Sequence, residues 1–191
     1  MITADLDRFV ARARACAPDF GPATARAAFL VTPEGFARAE ESAQDNRYMA
    51  AADNYHGEAA LAEHRALQRA LSADLPVFAF PGDPATPDAV FPNNVFAIAR
   101  PDAQVLPQAP PRLLVGRMRH AVRQAEAVRA DIRGFFRDTA GAVEIDLSQQ
   151  PHPCELTGSL VIDRARGLGF CGLSERCDEA GAALMHEAFG L

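Results

Sequence analysis

Lysine is absent from all 191 residues, so every one of the 19 strongly basic side chains is an arginine. That excludes chemistry through a lysine Schiff base and the phosphate-binding P-loop, which needs its lysine. Tryptophan is absent as well. The four cysteines, Cys16, Cys154, Cys171 and Cys177, form no Cys-x-x-Cys pair and no zinc-type spacing with histidine. No apolar run approaches the length that crosses a bilayer, and Asp5, Asp7 and Arg8 stand where a signal peptide needs its apolar core. A net charge of −6 disfavours nucleic acid and anionic lipid as partners. The expectation is a cytoplasmic protein with reduced thiols, built as a single domain over residues 1–191.

What is present is an alternation of helical and strand-like segments, which points to an α/β fold. Helical spacing predicts a first helix capped by Thr3, with Leu6, Phe9, Val10 and Ala13 on one face. Further helices are expected at 57–72, 117–138 and 178–189. The longest carries Met118, Ala121, Val122, Ala125, Val128 and Ile132 as its buried stripe. Short apolar runs predict strands at 27–31, 76–80, 90–98, 142–147, 159–163 and 168–173, the last two joined by a hairpin-like turn at 164–167. Residues 34–55 are polar and too long for a plain connector, and 101–111 is rich in proline, with 103–106 extended.

The run Asp88-Ala-Val-Phe-Pro-Asn-Asn-Val-Phe96 breaks two rules for a buried strand. It carries a proline in its middle and two adjacent carboxamides that would need partners away from water. A carboxylate beside two amides could grip a planar, donor-rich cation such as a guanidinium. The competing reading is an Asp and an Asn pair that cap turns. In Pro153-Cys-Glu-Leu-Thr-Gly-Ser-Leu-Val-Ile-Asp163, Glu155 opens an apolar strand. It is either a carboxylate that orients a histidine or a solvated turn residue. His152-Pro-Cys154 could serve as a nucleophile pair or a metal fragment, although a lone cysteine at a strand end is more often a small buried hydrophobe. The arginine series from Arg112 to Arg137 interleaves with Glu126, Asp131 and Asp138 and reads as a solvated helix face.

Three motifs in order carry a resemblance: the run from Asp88 to Phe96, then Glu155-Leu-Thr-Gly-Ser-Leu-Val-Ile-Asp-Arg164, then Cys171-Gly-Leu-Ser-Glu-Arg176. Together with Phe29-Leu-Val-Thr-Pro33 and the loop at 43–48, they make residues 27–176 similar to the amidinotransferase/arginine deiminase superfamily, closest to its bacterial branch with an "FPNN" motif. The resemblance implies an α/β-propeller (pentein) of ββαβ units, here incomplete at roughly three of five. Its members attack the guanidinium carbon with a cysteine thiolate, release ammonia or an amine, and hydrolyse or transfer the thiouronium.

Carried over by position, Asp88, Asn93 and Asn94 are substrate-binding, and Glu155 is the catalytic glutamate that pairs with the histidine. Arg112 stands near a position that receives the substrate carboxylate. No cofactor and no metal is implied. Where relatives carry an asparagine after the first strand, this sequence has Ala39 beside Arg38. The family's catalytic histidine and nucleophilic cysteine match nothing in residues 1–191. The expectation is therefore an arginine deiminase-like hydrolase of arginine or another small guanidino compound that is inactive as this polypeptide. Its partners would be a second copy or a complementing C-terminal fragment. Two alternatives remain: a non-catalytic binding or assembly module on the same scaffold, and an unrelated α/β thiol hydrolase using Cys154 or Cys171.

Overall fold

The computed structural model describes residues 1–37, 40–43, 57–100 and 108–191. Arg38, Ala39, the segment 44–48 and the stretch 103–106 lie outside the described residues. The chain falls into two compact units. One comprises Met1–Thr24, Asn93–Arg119 and Arg133–Leu191, the other Ala25–Pro92 and His120–Ile132.

The first unit starts with α1, Leu6–Ala15. Its cap is Asp5, not Thr3: Asp5 accepts the Arg8 N–H at 3.0 Å, and the Thr3 hydroxyl accepts the Asp5 N–H. A charged acceptor at this position also complements the positive end of the helix dipole. Leu6 is exposed, and Phe9 packs edge to face on Phe170 at 5.0 Å. A three-stranded sheet in the order β3-β4-β5 follows, made of Phe96–Ala99, Arg112–Val115 and Val143–Asp146. Its central strand β4 runs antiparallel to β3 and parallel to β5. Sequence reading does not find β4, because Arg-Leu-Leu-Val lies directly behind Pro110 and Pro111 and has no polar alternation. Leu113, Leu114 and Val115 are all buried, and a strand covered on both faces reads as an unpatterned apolar run.

The hairpin β6–β7, Leu160–Asp163 with Leu168–Cys171, forms as the sequence predicts, with Gly167 at φ 63° in its turn. The last helix, which we call α7, is Glu179–Phe189. Asp178 caps its start, and Gly190 closes it in a left-handed conformation that favours glycine. Leu114, Cys154, Leu156, Leu160, Cys177, Met185 and Phe189 share one buried cluster in this unit.

The second unit pairs β1, Ala28–Val31, in parallel with β2, Val77–Phe80. Between them in sequence come α2, Glu40–Ala43, and α3, Gly57–Ser72. The parallel pairing requires a crossover, which α3 supplies. The helix predicted over 117–138 is broken instead into α4 (Ala121–Gln124), a 3-10 turn (Ala125–Val128), α5 (Ala130–Gly134) and a π turn (Phe135–Thr139). Its buried side is only in part the predicted apolar stripe: Met118 and Ile132 are buried, but Ala121 and Ala125 are exposed. Val128 is exposed, whereas Arg123, Glu126 and Ala127 are buried. Arg123 grips Glu126 through Nε to Oε1 at 2.8 Å and Nη2 to Oε2 at 3.0 Å. The arginine series is thus not a uniformly solvated face: one of its members is part of the interior.

Candidate functional site

The "FPNN" run is a turn rather than a strand. Proline has fixed φ and no N–H, and the residues around it coil: Pro92–Asn94 is a 3-10 turn and β3 begins only at Phe96. That coil points Asn94 inward and leaves Asn93 exposed. The Asn93 carbonyl accepts the Thr157 hydroxyl at 2.9 Å, tying this turn to the one after Glu155.

Glu155 is buried, 1% exposed, and precedes the single-turn helix α6, Leu156–Ser159. Its carboxylate accepts Asn94 Nδ2 at 3.3 Å on Oε2 and the Arg119 N–H at 3.2 Å on Oε1. Arg176 Nη1 stands 3.9 Å from Oε2, and the Glu155 N–H is held by the Arg176 carbonyl at 3.2 Å. The solvated-turn reading of Glu155 is therefore excluded. Two backbone features make the approach feasible. Gly158 has no side chain, and a Cβ there would sit 2.6 Å from Asn94 Nδ2. Leu156, at φ 24°, is the one non-glycine residue with positive φ among the described residues. Such strain tends to collect beside functional groups.

Asp88 belongs to the second unit, in the turn before Pro92. It is 2% exposed, and neither carboxylate oxygen has a hydrogen-bond partner among the described residues. Its backbone is well held: Arg123 Nη2 donates to the carbonyls of Asp88 at 3.3 Å and Phe91 at 3.1 Å. The structure thus brings Asn94 and Glu155 together in the first unit, turns Asn93 outward, and leaves Asp88 as a buried carboxylate in the second. Arg112 spends its guanidinium on the Ala188 carbonyl at the end of α7, at 3.1 Å. Sequence reading assigned no role to Arg119, Arg123 or Arg176. Arg176 ends the third motif, and that placement was the available signal. The Arg119 contact runs through its backbone N–H and leaves no trace in composition.

The His152–Cys154 pair divides. His152 Nδ1 lies 2.8 Å from Asp178 Oδ2. Cys154 is fully buried, its sulfur facing the Arg117 N–H and Gln150 Nε2. Burial pushes the Cys154 thiol up, opposite to the direction a reactive thiolate needs. Among the described residues no group of three or more His, Cys, Asp or Glu side chains could hold a metal ion.

A family model described as N,N-dimethylarginine dimethylhydrolase, eukaryotic, matches residues 32–191. The chain belongs to the N,N-dimethylarginine dimethylhydrolase family. The resemblance to guanidino-modifying enzymes of the pentein fold thus holds for this chain. No curated protein matches.

Solved structures share the fold at low identity. The apo arginine dihydrolase ArgZ, from the ornithine-ammonia cycle in cyanobacteria, aligns with a TM-score of 0.66 at 17% identity, covering 84% of this chain and 22% of its own. The substrate-bound N-terminal domain of ArgZ aligns at 0.64 and 18% identity over 85% of this chain and 54% of its own. A dimethylarginine dimethylaminohydrolase adduct aligns at 0.56 and 19% identity over 84% of this chain and 55% of its own. The chain of this dimethylhydrolase family member spans about a fifth of full-length ArgZ and about half of the other two. No helix among the described residues is long and apolar enough to cross a membrane.

Proposed function

We propose that this chain is the guanidinium-binding part of a hydrolase acting on arginine or a derivative of it, and that Met1–Leu191 alone does not complete the reaction. The observation that carries the binding half is Asp88. A carboxylate buried without any donor costs free energy in the empty protein. A guanidinium, with several N–H groups in a fixed fork, would supply the donors that are missing. Glu155 takes the role of holding the catalytic histidine in its protonatable orientation, with Asn94 and the Arg119 N–H fixing the carboxylate.

In such a reaction a thiolate adds to the guanidinium carbon and the amine leaves with a proton delivered by the histidine. Water then cleaves the thiouronium. None of Cys154, Cys171 and Cys177 stands at the nucleophile's position, and burial pushes the thiols of Cys154 and Cys177 up. This reading therefore assigns the histidine and thiolate roles to no residue of 1–191. We further read the chain as one cytoplasmic folding domain of about three of five ββαβ units.

The test has two arms. Arginine or N,N-dimethylarginine should raise the melting temperature of the chain, since a ligand bound only to the folded state stabilises it by mass action. Neither should release ammonia, amine or citrulline. A ligand-independent melt would remove the binding half, and turnover by the purified 191-residue polypeptide would remove the claim of inactivity.

A second reading is an assembly module. Val161, 70% exposed, and Phe170, 52% exposed, are cross-strand neighbours on the two-stranded β6–β7 sheet. Apolar side chains beside open strand edges favour pairing with a second copy or a complementing fragment. A monomer by light scattering at high concentration would remove it.

A further inference from the structure

Two cysteines that the catalytic reading does not use lie against each other. Cys171 ends β7, and its Sγ is 3.6 Å from Sγ of Cys177. Five residues, 172–176, separate them in sequence. The loop between them is drawn closed by its backbone: the Ser174 N–H donates to the Cys177 carbonyl at 2.9 Å, and the Cys177 N–H to the Ser174 carbonyl at 3.2 Å. The Gly172 N–H is fixed on the Ser159 carbonyl.

We propose that Cys171 and Cys177 are a dithiol site, oxidised to an intramolecular disulfide by a low-molecular-weight disulfide of the glutathione type. A disulfide bond is about 2.05 Å long, so the sulfurs must close by roughly 1.5 Å.

Exposure sets the order of events. Cys171 is partly exposed and Cys177 is fully buried. The Cys171 thiolate attacks the small disulfide, forming a mixed disulfide and expelling one thiolate. Cys177 then gives up its proton, attacks the Cys171 sulfur and expels the second. Two protein thiols are oxidised and one disulfide is reduced to two thiols, so electrons and protons balance. Burial and the neighbouring Cys171 push the Cys177 thiol up, which makes it a poor first nucleophile. As the resolving thiol it compensates by proximity, since the second attack is intramolecular.

The other two cysteines are placed differently. Cys154 has its sulfur between the Arg117 N–H and Gln150 Nε2, and Cys16 sits at the C-terminus of α1.

The loop also carries Arg176, whose carbonyl holds the Glu155 N–H and whose guanidinium faces the Glu155 carboxylate. Closing the disulfide would fix that side of Glu155. This consequence rests on the role proposed for Glu155, whereas the thiol chemistry does not.

The experiment is to equilibrate the folded chain with oxidised glutathione, alkylate the remaining thiols and map the peptides without reduction. The expected result is a fall from four free thiols to two, with Cys171 linked to Cys177. In Cys177→Ser, Cys171 should instead retain a glutathione. Four free thiols in the folded wild-type chain, or a Cys154–Cys177 link, would overturn the site. Amide exchange at Glu155 should slow about tenfold on oxidation as local opening is suppressed. Formation of the bond with unchanged exchange there would overturn the coupling to Glu155 alone.

Discussion

Glu155 and Asp88 are both buried carboxylates, and their surroundings are opposite. Glu155 is surrounded by donors from its own unit: Asn94 Nδ2, the Arg119 N–H and, farther off, Arg176. Asp88 has none on either oxygen among the described residues. A carboxylate supplied with donors is fixed in orientation before any ligand arrives, which suits a group that must hold another side chain. A carboxylate without donors keeps its acceptor capacity for something that brings its own N–H groups. Residue chemistry and burial are alike at the two positions, so partner supply is what separates the orienting role proposed for Glu155 from the binding role proposed for Asp88.

The sharpest way to test this contrast is to take a guanidinium away from a buried carboxylate. Arg123→Ala would remove the guanidinium that grips buried Glu126 through both oxygens. The expected loss is about 3–5 kcal/mol of stability, the usual cost of breaking a buried ion pair by removing one partner. Urea denaturation measures it, and a loss near zero would mean that donors to a buried carboxylate count for little in this unit. Asp88 would then say nothing about a ligand.

Glu155→Ala comes next. It removes the carboxylate that accepts from Asn94 Nδ2 and the Arg119 N–H, and should cost about 1–3 kcal/mol by the same measurement. Asp88→Asn should move the other way, raising the stability of the ligand-free chain by about 1 kcal/mol because an unpaired charge is removed. It should also abolish the thermal shift caused by arginine. Loss of stability at Asp88→Asn would contradict the orphan description.

Asp178 gives an exposed carboxylate for scale. The Gly181 N–H, and then His152, hold its carboxyl below the usual aspartate value. A depressed folded value means that the stabilisation is complete above the unfolded value of about 3.9 and is lost as pH falls through the folded one. Asp178→Asn should therefore lower stability slightly near neutrality and flatten the acid limb of the stability profile, the difference from wild type vanishing as pH falls through the folded value. An unchanged acid limb would remove Asp178 from the account.

Local chemistry made several elements legible. Helix α3 at Gly57–Ser72, the β6–β7 hairpin and the Asp178-capped α7 form where periodicity, turn residues and caps agree. The candidate site was legible in part: Asn94 and Glu155, 61 residues apart, do meet. Asn93 and Asn94 could not be told apart, because which amide faces inward depends on whether the run coils or extends. Strand β4 and the broken segment from Ala121 to Thr139 were not legible. Burial on both faces erases alternation in the first, and in the second a buried Arg123–Glu126 pair mimics the i, i+3 charge spacing of a solvated helix.

By itself, then, the sequence determined the residue types: a lysine-free chain with an acidic turn, a proline-amide coil and a Glu-Leu-Thr-Gly-Ser run in a given order. Those follow from composition and spacing alone. Only the tertiary structure decided that Glu155 has its donors and Asp88 has none, since hydrogen-bond supply at a buried atom depends on chain segments distant in sequence.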